Sequence, residues 1–435
     1  MLSHGFSRVA NALSRRGVAV AIHQTHQQRY SAAAAAAGTQ QQPRTSLQPP
    51  DIRTEVVDRV SSPDMIKSTA QKLQQIGPSG RQKLLMYQLA ALPVWVASAV
   101  RLAAKYATCP GALLGSPDAA AFQLVPPFPL EEEHVTVNGI KLHTVSPGRR
   151  RDKPLMLFVH GFPELWYSWR HQMAALHATG QWDVVAIDMR GYNTSDKPQG
   201  VEQYRLPVLA SDVQQAVHAL GHASCTLVAH DWGGLVAWVV AGMYGRQLVD
   251  KLIVMGLPHV GVGMVNSTMT QRKRQLYILL FQARWLAEKV ISADNAAALD
   301  GMFRSEPAGL KNLQGTMPDE ALAWYRAAMC QPGAATGTLN WYRAFMEFVT
   351  LSDPQDPAWS AMRRVLDMPA LVLHGDCDVA LGEELLDGIE AAVPDVTVKV
   401  LKNCSHWVQQ DYPSQVNEIM LDWLSKQQQQ QQQQQ

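Results

Sequence analysis

From about residue 131 onward, short runs that are apolar at nearly every position punctuate the chain: "PLMLFVHG", "DVVAIDMRG", "CTLVAHD", "VDKLIVMG", "PALVLHGD" and "VTVKVLKN". A continuously apolar run of this length reads as a strand buried on both faces. Ahead of them, "HVTVNGIKLHTV" alternates apolar and polar positions around Asn138-Gly139, the signal of a hairpin. Helix-length segments such as "SWRHQMAALHA" and "RLPVLASDVQQAVHALG" separate most of the runs. Strand alternating with helix predicts an α/β fold, a mostly parallel central sheet with helices on both faces. Between about Gly261 and Ser352 the strand signals vanish, and "RQLYILLFQARWLAEKV" and "PDEALAWYRAAMC" carry helical patterns. The pattern therefore predicts a core of residues 131–260 and 353–426, split by a helical cap at 261–352. Open α/β sheets bind ligands at the carboxyl ends of their strands, and the insertion falls at that edge.

The ends of the chain have a different composition. Residues 1–50 contain no Asp or Glu but include Arg8, Arg15, Arg16, Arg29 and Arg44 among Ser, Ala and Gln. This is the composition of an organellar transit peptide, and mitochondrion or chloroplast is the expected destination. The competing reading is a low-complexity tail on an otherwise cytoplasmic protein. Residues 51–130 read as a helical or linker extension. Within it the apolar segment 84–100 is flanked by Arg81, Lys83, Arg101 and Lys105 and interrupted by Gln88, Pro93 and Ser98. Its length is at the short end of what spans a bilayer, so packing on the domain or lying at a membrane surface is favoured over crossing. The glutamine run 427–435 is expected to be an unfolded tail. A net charge of +1 gives no reason to expect a nucleic-acid partner. Five cysteines without a CxxC pair argue against a disulfide framework or a zinc finger.

One junction carries chemistry. "CTLVAHDWGG" leads from a strand through a sharp turn into a helix, the setting of a nucleophile elbow of G-x-S-x-G form. Asp231 stands where the serine would be. Read alone, it is equally an acid capping the helix that follows. Two further residues change the balance. Asp378 follows the strand in "LVLHGDCDVAL", and His406 follows the last strand in "VLKNCSHWVQQDYP". The order nucleophile, acid, histidine is that of α/β-hydrolases. Asp376 is the rival to Asp378, which lies further into the loop with more reach toward His406. Cys404 beside His406 raises a thiol mechanism, but it sits on no elbow. At "LFVHGFPELWYSW" a strand ends where such a fold supplies an oxyanion N–H, making the backbone amides of Phe162 and Trp232 the expected hole.

A carboxylate at the elbow is ionised at neutral pH without help from a base, its ordinary pKa being about 4. It suits displacement at a tetrahedral carbon that bears a strained or good leaving group. An alkyl ester forms on the enzyme, and His406 activates water against the ester carbonyl while the oxyanion hole holds the intermediate. No metal or organic cofactor is called for. Epoxides and carbon–halogen bonds are the candidate targets. An opening epoxide needs an acid, and Tyr277 and Tyr342 in the insertion are available. A halide needs only donors, and the indole of Trp232 keeps that reading open.

The segments "HGFPELWYSWRHQ", "DMRGY", "VAHDWGGLVAW", "YILLFQARWLAEK", "TGTLNWYRAF" and "CSHWVQQDYP" resemble those of epoxide hydrolases of the α/β-hydrolase superfamily. The resemblance extends over roughly Glu131 to Ser425, to the hydrolase domain of soluble epoxide hydrolase and to the membrane-anchored epoxide hydrolase 3 group. It implies Asp231 as nucleophile, His406 as base and Asp378 as its orienting acid. It implies Tyr277 and Tyr342 as holders of the epoxide oxygen; the apolar character of the insertion suggests a lipophilic epoxide as substrate. Asn193 departs from the pattern, which commonly has glycine there, but Asn tolerates left-handed backbone. A hydrolase fold used only for binding would be expected to have lost part of this set, and none of it is missing.

Overall fold

The Asn138-Gly139 turn has positive φ at both residues, 47° and 73°, the geometry that matches the twist of a hairpin. It joins β2 (Glu131–Val137) to β3 (Ile140–Ser146), β1 being the strand Val56–Asp58 near the start of the chain. The buried runs form β4 (Leu155–Val159), β5 (Asp183–Ile187), β6 (Cys225–His230), β7 (Val249–Met255), β8 (Ala370–Gly375) and β9 (Val396–Leu401). In this computed structural model, which describes residues 51–108, 117–313 and 317–433, they make one sheet in the order β1-β9-β8-β7-β6-β4-β5-β3-β2. The pairings from β5 through β9 are parallel; β1, β2 and β3 pair antiparallel at the two edges. The parallel strands β4, β5, β6 and β8 are buried at every position. Helices Arg170–Ala178 and Pro413–Gln433 pack together, as do Leu206–Ala219, Asp231–Tyr244 and Pro357–Arg363, giving the two helical layers that a parallel sheet requires.

Among the described residues between β7 and β8 no strand occurs, and the regular elements are helices. The helix Ala334–Leu351 is seated on the loop after β5. Trp341 Nε1 donates to the Arg190 carbonyl at 3.1 Å, and a Cβ on Gly337 would stand 2.8 Å from the Cα of Gly191. Glycine at both positions permits this approach, and it places Tyr342 over the carboxyl ends of the strands.

Two expectations are corrected. The extension 51–130 holds a strand as well as helices: β1 pairs with β9, reinforced by Arg53 bound to Glu418 and by the Thr54 N–H donating to Gln415. Three residues beside charged neighbours are too short to announce a strand; β9's open edge supplies the reason for it. Nor is the glutamine run from 427 a separate unfolded tail. The helix Pro413–Gln433 carries it as far as the described residues reach, because Gln is a good helix former and extends a helix whose nucleus Val416, Met420, Trp423 and Leu424 already bury.

The apolar segment 84–100 belongs to a longer helix, Arg81–Thr108, with Pro93 inside. Ala91 is buried, and Trp95 Nε1 donates to the Leu279 carbonyl of the insertion at 2.7 Å. Leu85, Met86, Leu89, Leu92, Val96 and Val100 are exposed. Residues 1–50, on which the targeting expectation rests, lie outside the described residues.

Candidate active site

β6 ends at His230 in extended conformation, and the helix Asp231–Tyr244 begins at the next residue. Asp231 absorbs the reversal at φ +48°, a left-handed backbone that costs on the order of 1 kcal/mol in a non-glycine residue. Its small neighbours allow it. A Cβ on Gly233 would strike the carbonyl oxygens of Val159 and His160, and one on Gly161 would stand 2.6 Å from Asp231 Cβ. The carboxylate therefore projects from the first turn of a helix, where the dipole favours its negative charge.

The Phe162 N–H donates to Asp231 Oδ1 at 2.9 Å. His406 Nε2 lies 3.4 Å from Asp231 Oδ2, and its Nδ1 lies 2.7 Å from Asp378 Oδ2. Asp378 is fixed in turn, its Oδ1 accepting from the N–H groups of Ala380 and Leu381 at 2.7 and 2.9 Å. Asp376 faces elsewhere, accepting from the Cys404 N–H at 3.3 Å and standing 3.7 Å from Lys402 Nζ. Of the two rivals, Asp378 is the one that reaches the imidazole. The other expected oxyanion donor, the Trp232 N–H, makes no hydrogen bond to the carboxylate among the described residues. Cys404 is buried, and burial together with the charges of Asp411 and Asp376 pushes its thiol well above the usual range. It offers no thiolate at neutral pH.

Burial opposes every charge in this row, and the partners outweigh it. For His406, Asp378 and Asp231 overcome burial and hold the imidazolium well above its ordinary value. For Asp231, the His406 hydrogen bond and charge overcome burial and hold the carboxyl below its ordinary value. Asp378 shifts the same way for the same reason. All three shifts favour the charged forms: carboxylate, imidazolium and carboxylate.

Tyr277 and Tyr342 arrive from different helices, Tyr277–Phe281 and Ala334–Leu351. Their ring centroids are 6.2 Å apart. Tyr277 leaves 38% of its surface exposed, but burial at its phenol end, and then the nearby Asp231 charge, raises that phenol; Tyr342 is raised by burial, Tyr277 and Asp231. Both therefore stay protonated. Tyr342 sits in an aromatic box, 4.6 Å from Trp232, 4.8 Å from Phe281 and 5.0 Å from Phe162, all edge to face. The indole of Trp232 thus packs against the tyrosine, with Phe345 at 5.5 Å on another side. Trp285 is exposed, whereas Trp324 stacks on Tyr167.

Sequence reasoning missed a buried polar network behind the site. Glu164 Oε2 lies 2.6 Å from His230 Nδ1 and accepts from the Gly161 N–H at 3.1 Å. Its Oε1 accepts from Gln409 and Gln410 at 3.0 and 2.9 Å. His230 Nε2 meets the His406 carbonyl at 2.9 Å. The network ties the loops after β4, β6 and β9 to one another. The available signal was a charged residue inside the apolar "HGFPELW" and a histidine at the end of an apolar strand. Asn193 has φ +41°, and its Nδ2 donates to Asp188 at 2.7 Å. The departure from glycine preserves the turn and adds a bond. No cluster of His, Cys, Asp and Glu suited to a metal occurs among the described residues.

A parallel sheet with this strand order, an acid on the turn after β6 and a histidine beyond β9 define an α/β-hydrolase. Residues 154–413 match the family model described as alpha/beta hydrolase fold. Epoxide hydrolase 2 of Caenorhabditis elegans is 36% identical over 297 residues, 67% of this chain and 79% of that protein. Human epoxide hydrolase 4 is 33% identical over 67% of this chain and 77% of its own length. Among solved structures, a Bacillus megaterium epoxide hydrolase in complex with an inhibitor superposes with a TM-score of 0.59 at 31% identity. It covers 67% of this chain and 100% of that one. An epoxide hydrolase of Vigna radiata gives 0.57 at 26% identity, covering 68% and 98%. The chain belongs to the epoxide hydrolases of the α/β-hydrolase fold.

Proposed function

We propose that the protein converts lipophilic epoxides to vicinal diols through an alkyl ester on Asp231. The observation that carries this reading is the Asp231 carboxylate paired with the protonated Tyr277 and Tyr342 of the cap, with His406 and Asp378 behind it. Asp231 Oδ2 attacks an epoxide carbon, the ring C–O bond breaks, and a tyrosine gives its proton to the leaving alkoxide. Oδ1, already at the Phe162 N–H, becomes the carbonyl oxygen of the ester. Water then attacks the ester carbon as His406 Nε2 takes its proton, and negative charge collects on Oδ1. Collapse returns the proton from His406 to the departing diol oxygen, and the acid left on Asp231 gives up its proton to the site, which restores the Asp231 carboxylate and the tyrosine spent in ring opening.

The same arrangement supports a timing mechanism. His406 is protonated at rest because two carboxylates face it, and esterification removes the charge of one of them. The imidazolium then loses its proton more readily, and the base becomes available when the ester needs it. In oxygen-labelled water with enzyme in excess, the first diol should carry oxygen from Asp231 rather than solvent. Label appearing directly in that first product would exclude the ester. Halide displacement is the rival for the same Asp. Halide release from a haloalkane and haloacid panel, retained when both tyrosines become Phe, would favour it over epoxide opening.

The helix Arg81–Thr108 supports a second element of the reading, attachment to a membrane surface. One side is held to the cap through Ala91 and Trp95. The exposed apolar residues lie on the rest of it, the helix has no acid, and Arg81, Lys83 and Arg101 are exposed near its ends. Such a helix lies in the headgroup region of an anionic bilayer. Flotation with vesicles containing phosphatidylserine tests this: binding should fall when Leu89, Leu92 and Val96 become Ser. Residues 1–50 are proposed to direct the protein to an organelle, read out by the location of a fusion of that segment to a fluorescent protein.

A further inference from the structure

We infer that Arg343 is a positioning residue for epoxide opening: it sets Tyr277 against Tyr342 by clamping together the two helices that carry them. The inference rests on the reading of these tyrosines as the ring-opening acids. Arg343 follows Tyr342 directly and is 5% exposed. Its Nε donates to the Phe281 carbonyl at 3.0 Å. Its Nη1 donates to Glu288 Oε1 at 2.7 Å and to Asn340 Oδ1 at 3.1 Å. One guanidinium thus reaches from the Tyr342 helix to the last residue of the Tyr277 helix, and beyond it to the next helix, Leu286–Ala296.

The Tyr277 helix needs such a grip. It has five residues, far fewer than a helix needs to hold itself in water. Phe281 is its last residue, so its carbonyl has no partner guaranteed within the helix. A cation placed there is also favoured by the helix dipole. Phe281 in turn touches both acids, with its ring 5.5 Å from Tyr277 and 4.8 Å from Tyr342. Moving the Phe281 carbonyl therefore moves the ring between the two phenols and the backbone four residues behind it. Lysine cannot replace the arrangement, because a point ammonium lacks the planar fork that serves separate acceptors at once.

The tyrosines act in ring opening and are idle in ester hydrolysis, which separates positioning from general support of the fold. Stopped-flow tryptophan fluorescence with an aryl epoxide resolves the two steps. Arg343→Gln should slow ring opening roughly 10- to 100-fold, as small misplacements of a reacting group do, with the ester-hydrolysis rate unchanged. Arg343→Lys should not restore it. In a Tyr277→Phe background, Arg343→Gln should cause little further loss. Equal slowing of both steps, or a full multiplicative loss in the Tyr277→Phe background, overturns the inference. Ring opening at the native rate in Tyr277→Phe and Tyr342→Phe would instead overturn the reading of the tyrosines themselves. Should Arg343→Gln give no folded protein, Glu288→Gln keeps the bond to Phe281 and removes only the ion pair. It should slow ring opening by a smaller factor with hydrolysis intact, and a native ring-opening rate there counts against the clamp.

Discussion

Replacing His406 by Gln separates the two halves of the proposed reaction. In the native site His406 bridges Asp378 at 2.7 Å and Asp231 at 3.4 Å. Its loss leaves Asp378 with the Ala380 and Leu381 N–H groups, so the buried carboxylate keeps two of three donors. Losing the third costs about 1–3 kcal/mol of stability, less than the loss of a wholly unpaired buried ion. Asp231 keeps the Phe162 N–H at 2.9 Å and, even at an ordinary pKa of about 4, remains ionised at pH 7. Ring opening should therefore proceed. Ester hydrolysis loses its general base and should slow by about 10²- to 10⁴-fold, equivalent to about 3–5 kcal/mol of barrier. With one equivalent of an aryl epoxide the variant should accumulate a covalent adduct. Intact-mass spectrometry should find one substrate mass added, and peptide mapping should place it on Asp231. An unmodified chain whose turnover has collapsed would refute the covalent route, as would an adduct on any other residue.

Three further outcomes follow from the same geometry. Tyr277→Phe with Tyr342→Phe should remove ring opening by 10²-fold or more, the range for loss of donors to a developing oxyanion. The aromatic box would survive the change, so thermal melting should stay near native. Gly161→Ala puts a methyl 2.6 Å from Asp231 Cβ; single-turnover kinetics should show loss of ring opening beyond the 1–3 kcal/mol that overpacking takes from stability. On pH, burial opposes the His143 imidazolium, but Asp188 and Glu132 overcome it and raise it to about 9, and His406 is raised too. Groups raised on folding stabilise fully below their unfolded value near 6.5 and lose that contribution as pH climbs through the folded one. Urea midpoints should thus fall between pH 6.5 and 9, and His143→Gln should remove about 3 kcal/mol of that slope. A native slope in His143→Gln would contradict the assignment.

The parallel strands and the helical insertion were legible because their signal is periodic and long: β4, β5, β6 and β8 are buried throughout and apolar nearly throughout. Asp231, Asp378 and His406 were legible because each follows an apolar run at a turn. The order of turns along the chain maps onto the order of loops along one sheet edge. The tyrosines were candidates on chemical grounds alone and were given a role only by the resemblance, since a Tyr in an amphipathic helix has many packing reasons to be there. β1 was invisible, because what makes Val56–Asp58 a strand is the edge of β9, some 340 residues later in the chain. Glu164 and His230 were missed for a related reason. A buried polar pair has no period, and neither residue discloses its partner.

The pairing of β1 with β9 also decides what the apolar helix can be. The chain before the helix is stitched into one edge of the sheet by β1, and the chain after it enters the opposite edge as β2. Its middle is fastened at Ala91 and Trp95. The helix is therefore a closed handle on the enzyme rather than a stalk beneath it. In the membrane attachment proposed above, entry and exit would lie on the same side, and the bilayer would receive the exposed face in one leaflet. That leaflet would then lie against the cap whose tyrosines meet the substrate.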